Sequence, residues 1–154
     1  MLRPLLAAIF LAALVSVPAF PTSGNWHNPD LILPGVGMGP IKLGMSRAAA
    51  EAARLKMACG YAVTVHYDRA GTADRIETSC GGALQTPEGV QVAGTMGEVV
   101  AAYGEPSTVV PDEVYDHGTA YWFNYDRGIG FRAVVFGPTA AHTIVTTIAV
   151  WKRK

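Results

Sequence analysis

An α+β fold, an antiparallel sheet with short helices packed on one face, is the class this sequence predicts, and three observations predict it. Seventeen glycines and ten prolines among 154 residues demand many turns and disfavour a long bundle or coiled coil. Several stretches alternate apolar and polar residues with the period of two that belongs to strands. The order strand, helix, hairpin occurs twice, which predicts an internal duplication. Half of the residues are hydrophobic and 16% are charged, a globular composition sized for one domain. Basic and acidic residues are balanced at 12 each, so summed charge gives no reason to expect a nucleic acid or an anionic membrane as partner.

Met1 to Ala19 has a cationic start at Arg3, an apolar run from Leu5 to Val17, and small residues around Val17-Pro18-Ala19. This is the pattern of a cleavable secretion signal, and a run of roughly 13 residues is short for a bilayer span of about 20. No cysteine stands just after the run, so neither a lipid anchor nor a stable membrane anchor is expected after cleavage, and the expected location is periplasmic or secreted. In that oxidising setting the two cysteines, Cys59 and Cys80, are expected to form a disulfide. Zinc is the weaker reading, since their separation fits no common ligand spacing even with His66 between them.

Residues 20–40 hold Pro, Gly and Asn without periodicity and read as an extended lead-in. Gly35, Gly37 and Gly39 are not a dinucleotide loop, because no strand precedes them and no helix follows directly. The domain proper is residues 41–151. Its first repeat, about 41–80, starts with the short strand Ile41 to Gly44 and Ser46 as helix N-cap. A helix from Arg47 to Ala58 follows, with Ala50, Ala53, Leu55 and Met57 available for an apolar face and a stop at Cys59-Gly60. Tyr61 to Tyr67, a turn at Asp68-Arg69-Ala70-Gly71, and Arg75 to Ser79 form the hairpin. In the second repeat, about 90–151, Val90 to Thr95 aligns on Ile41 to Ser46 without a gap. Thr95 and Glu98 make a capping box, and the helix Met96 to Tyr103 stops at Gly104 and Pro106. Strands Ala120 to Tyr125, Ile129 to Phe136 and Thr143 to Trp151 follow, with Asp126-Arg127-Gly128 echoing the earlier turn.

Gly39-Pro40-Ile41-Lys42-Leu43-Gly44-Met45-Ser46 with its helix, and Val92-Ala93-Gly94-Thr95 through Tyr103-Gly104-Glu105-Pro106, resemble the helix starts and ends of one group of small exported domains. That group is the β-lactamase-inhibitor-like fold and the related small proteins of the outer-membrane assembly machinery. The resemblance implies a tandem repeat with helices on one sheet face, and a protein bound by the other face or its loops.

Alternation divides the strands into two sets. Tyr61, Val63, Val65, Tyr67, Tyr121, Phe123, Tyr125, Ile129, Phe131, Ala133, Val135, Ile144, Ile148 and Val150 are expected to face the helices. The opposite set is Thr64, His66, Trp122, Asn124, Arg132, Thr147 and Trp151. Large aromatics beside Arg, His and Asn on an exposed face have the composition of a protein-binding surface, so His66, Trp122, Asn124, Arg132 and Trp151 are the candidate binding residues. The competing expectation is that the tryptophans pack under a loop or the lead-in.

Catalytic signals are sparse. Gly44-Met45-Ser46-Arg47-Ala48 has the outline of a nucleophile elbow, but Ser46 reads as a helix cap. His27, His66, His117 and His142 are scattered, with no metal-binding spacing. The segment Asp112-Glu113-Val114-Tyr115-Asp116-His117 gathers carboxylates beside an imidazole in what reads as a loop between helix and strand. It supports the alternative of a small secreted hydrolase or metal-dependent enzyme. The sequence favours a non-catalytic exported module that needs no cofactor and binds a protein or envelope component through its open sheet face.

Overall fold

The structure is a computed structural model that describes residues 31–135 and 143–153. The apolar N-terminal stretch, His27 and His142 lie outside the described residues. The fold is α+β and mostly strand. Strands β1 (Ile32–Leu33), β2 (Gly37–Met38) and β3 (Ile41–Lys42) form a small antiparallel sheet that leads into helix α1 (Arg47–Arg54). A 3-10 turn (Gly60–Ala62) precedes β4 (Val63–Tyr67) and β5 (Ala73–Thr78), and helix α2 (Met96–Tyr103) precedes β6 (Thr108–Tyr115), β7 (Gly118–Tyr125), β8 (Ile129–Val135) and β9 (Thr143–Trp151). The six long strands form one antiparallel sheet in the order β4-β5-β9-β8-β7-β6.

One apolar cluster holds the fold together. Val63, Ile76, Ile148, Val150, Ile129, Phe131 and Ala133 project from one sheet face into it. Ala50 of α1 and Met96, Val99 and Tyr103 of α2 meet them, so both helices cover that inner face. Ile32, Met38 and Ile41 are fully buried in the same cluster. The part of the lead-in from residue 31 to 40 is therefore built into the core through β1 and β2. The cap expectations hold: Ser46 Oγ accepts from Ala49 N–H, and Thr95 and Glu98 exchange both bonds of a capping box.

Several boundaries differ from the sequence reading. Helix α1 ends at Arg54 rather than Ala58, because Lys56 N–H and Met57 N–H turn back to the Ala53 and Arg54 carbonyls and tighten the chain. This leaves Leu55 outward and 79% exposed. The turn then carries Gly60 so close to the Arg54 carbonyl oxygen that a Cβ would lie 2.0 Å from it. Tyr61 lies in the 3-10 turn, not the strand, and is 88% exposed. In β9 the inward residue is Val145, not Ile144. Arg132 pairs with Thr147 and Ala133 with Val145, so Thr146 is an extra residue that shifts the alternation by one. Finally, the segment read as a loop after α2 is strand β6.

The two helices are entered by matching turns. Gly44 N–H donates to the Ala73 carbonyl at 2.7 Å and Ala73 N–H donates to the Met45 carbonyl at 2.8 Å; Ala93 N–H donates to Val145 at 2.8 Å and Val145 N–H to Gly94 at 2.9 Å. Gly44 and Ala93 both have positive φ, +90° and +71°. The pairing of β4 with β5 slips between His66 and Tyr67, leaving Asp74 extra, as that of β8 with β9 slips between Arg132 and Ala133, leaving Thr146 extra. Thus β8–β9, not the predicted β7–β8, follow the geometry of β4–β5, and β6–β7 is an additional hairpin.

Candidate functional site

The face of the sheet opposite the helices is built from cross-strand rows. One row runs Thr64, Glu77, Ala149, Gly130, Asn124, Thr108; another runs Thr147, Arg132, Trp122, Val110; a third pairs His66 with Arg75 and Arg75 with Trp151. Residues in a row point the same way. All five candidate residues, His66, Trp122, Asn124, Arg132 and Trp151, therefore lie on this outer face. Both helices, and Ile32, Met38 and Ile41 of β1–β3, pack into the inner cluster instead.

Arg75 organises the centre, and the candidate set omitted it. Its guanidinium carbon lies 4.6 Å from the Trp122 ring centroid and 5.6 Å from that of Trp151, a cation held against two indoles. Its Nε donates to Glu77 Oε1 at 2.6 Å, and His66 Nε2 lies 3.3 Å from the same oxygen. Alternation around buried Ile76 was the signal that puts Arg75 and Glu77 outward. Trp151 can lie across β8 only because residue 130 is glycine: a Cβ there would meet the indole at 2.9 Å and Asn124 Oδ1 at 2.7 Å. Beside this platform a cleft of about 530 Å³ opens between Arg75, Trp151 and Arg153 on one side and Ser107, Thr108, Asn124 and Asp126 on the other.

A second cluster forms around Arg132. Its Nε donates to Asp112 Oδ2 at 2.5 Å and its terminal nitrogens to Glu113 Oε2 at 3.1 Å, Tyr115 Oη at 2.7 Å and Thr146 Oγ1 at 3.2 Å. Thr146, the extra residue of β9, donates back to the Arg132 carbonyl. Burial works against the Arg132 charge, but the hydrogen bonds to Tyr115 and Asp112 outweigh it and raise its pKa above the ordinary arginine value. The bulge between Pro111 and Val114 in β6 carries Asp112 and Glu113 to Arg132.

The acidic segment and the aromatic surface, separate candidates in the sequence, thus share one face. Asp112 and Glu113 are engaged by Arg132, while His117 is exposed in the β6–β7 turn. Among the described residues no three His, Cys, Asp or Glu side chains gather as a metal site. Cys59 and Cys80 form a disulfide with Cα atoms 6.3 Å apart. No described helix is long and apolar enough to cross a membrane. No protein-family model, curated protein or solved structure matches the chain.

Proposed function

We propose that this chain is an exported, non-catalytic module, built from two copies of a helix-plus-hairpin unit, that binds a protein or envelope component through the outer face of its sheet. The observation that carries the reading is the cation held against two tryptophans, Arg75 with Trp122 and Trp151, on the face away from both helices. Rigid aromatics and arginine supply most binding energy at protein interfaces, since they bury large areas at low entropic cost. The duplication is supported by the paired helix-entry turns, the helices of equal length and the matching β-bulges. The resemblance to the β-lactamase-inhibitor-like fold agrees with both parts of the proposal, and the disulfide is compatible with export.

Affinity capture from the exporting cell's envelope fraction tests the binding reading. Wild-type protein and the distant surface variant Leu55→Ser should retain the same component, and Trp122→Ala should lose it. A hot-spot tryptophan is expected to contribute 2 kcal/mol or more, about thirtyfold in affinity. Trp122→Ala should cost only about 1 kcal/mol of stability, because the ring lies outside the core. Capture undiminished by Trp122→Ala and Trp151→Ala would remove the outer face as the binding surface.

A further inference from the structure

The two outer strands of the sheet differ in how they present themselves. The edge at β6 is interrupted by Pro111, which has no N–H to offer, by the adjacent bulge, and by the carboxylates Asp112 and Glu113. At the other end, β4 reads Val63-Thr64-Val65-His66-Tyr67, with no proline and no Asp, Glu, Lys or Arg, and the extra residue of its irregular pairing, Asp74, belongs to β5. Among the described residues it pairs with β5 alone. The matching strand β8 has β9 on one side and β7 on the other. Beside β7, Phe131 and Ala133 are completely buried, whereas Val65 and Tyr67, their counterparts on β4, are only half-buried. Exposed Tyr61 lies two residues before β4 in the chain.

We infer that β4 pairs antiparallel with β4 of a second copy of this chain, across a two-fold axis at Val65, joining two sheets into one. The strand is complementary to itself in this register. Val65 meets Val65, Val63 meets Tyr67 on the inner face, and Thr64 meets His66 on the outer face. A β-branched residue opposite an aromatic is a favourable cross-strand pair, and β4 carries no Asp, Glu, Lys or Arg to set like charges against each other. A two-fold pairing uses the same edge on both copies and closes after two, so it does not propagate into a fibre. The inference shares His66 with the candidate outer face but not its tryptophan platform, since Trp122 and Trp151 lie on other strands, so a dimer lost in Thr64→Lys and kept in Trp122→Ala separates the two readings.

Sedimentation velocity of the purified protein over a concentration series is the test, with Thr64→Lys and Val65→Cys as variants. Lysine on an edge strand opposes pairing, and Thr64 is exposed, so Thr64→Lys should fold and lose the dimer boundary. Directly opposed residues in an antiparallel pair are within disulfide reach, so Val65→Cys should cross-link under mild oxidation, while Val109→Cys on β6 should not. A wild-type chain that sediments as a monomer throughout, with no Val65→Cys cross-link, would overturn the inference. So would a dimer that survives Thr64→Lys, or one that cross-links through Val109→Cys.

Discussion

The halves of the molecule enter their helices by the same turn and leave them differently. After α1 the chain makes a tight polar exit: Arg54 pairs with Glu51 at 2.8 Å and donates to the Gly60 carbonyl at 3.0 Å, and the Cys59–Cys80 disulfide ties the exit to the end of β5. After α2 the exit is aromatic. Tyr103 lies 5.5 Å from Tyr125 and 5.3 Å from Phe131, and Tyr125 Oη donates to the Gly104 carbonyl at 3.1 Å. Burial first, then the hydrogen bond to Glu88, pushes the Tyr103 phenol well above its ordinary pKa. A covalent link thus stands where the other half has a packed ring cluster, and the extra hairpin β6–β7 hangs from the ring cluster. That hairpin supplies Trp122, Asn124, Asp112 and Glu113, whereas Arg75 comes from the first half, so the outer-face constellation needs both halves.

The largest expected effect tests how unequal the halves are at their matching positions. Phe131 is fully buried against Tyr103 and Tyr125, and Phe131→Ala should lose roughly 3 to 5 kcal/mol, by the lost burial and the cavity. Val65, its counterpart on β4, is half-buried and smaller, so Val65→Ala should lose only about 1 kcal/mol. Urea unfolding of both variants measures the gap. Equal losses would mean that the second half does not depend on its ring cluster.

Next in size is the disulfide. Its sequence separation of 21 residues corresponds to about 3 kcal/mol in the chain-entropy description. The double change of Cys59→Ala and Cys80→Ala should lower stability by that order, and amide exchange should rise most in β4 and the preceding turn while β8 stays protected. Uniform loosening of both halves would show that the bond restrains the whole domain rather than its own half.

How much of this was legible follows from the range of the interactions. The caps at Ser46 and Thr95 and the split of β7 into inward Phe123 and outward Trp122 are set by neighbours a few residues apart, and the sequence displays them. By contrast, β1 and β2 have two residues each and no period to detect. Their placement depends on a distant bond from Ile32 N–H to the Gln85 carbonyl. In β6 the apolar run Val109-Val110 is cut short by Pro111 and the acidic bulge, which disguise a strand as a polar loop. Thr146 shifts the phase of β9, so strict alternation selects Ile144 where Val145 is buried. Arg75 joins Trp122 across two intervening strands, a contact that only the sheet order reveals.

The smallest effect discriminates most finely between the halves, because it concerns one Cβ. Gly44 and Ala93 occupy the same place in the two helix-entry turns, with φ of +90° and +71°, and Ala93 is the one non-glycine residue with positive φ among the described residues. An L side chain in this region pushes its Cβ against the neighbouring carbonyl, at a cost of roughly 1 to 2 kcal/mol. Glycine escapes that contact but loses more chain entropy on folding, by about 0.5 to 1 kcal/mol relative to alanine. The two terms oppose each other, so Ala93→Gly should be stabilising by no more than about 1 kcal/mol. Gly44→Ala should be destabilising by a similar amount: only the end of the flexible Lys152 side chain comes near the added methyl, at 3.5 Å, so steric crowding adds little to the backbone strain. Thermal unfolding of the two single variants and their combination should give opposite shifts that nearly cancel. If Ala93→Gly were destabilising, the positive φ at Ala93 would carry no strain for glycine to relieve, and the two turns would match in hydrogen bonding but not in energy.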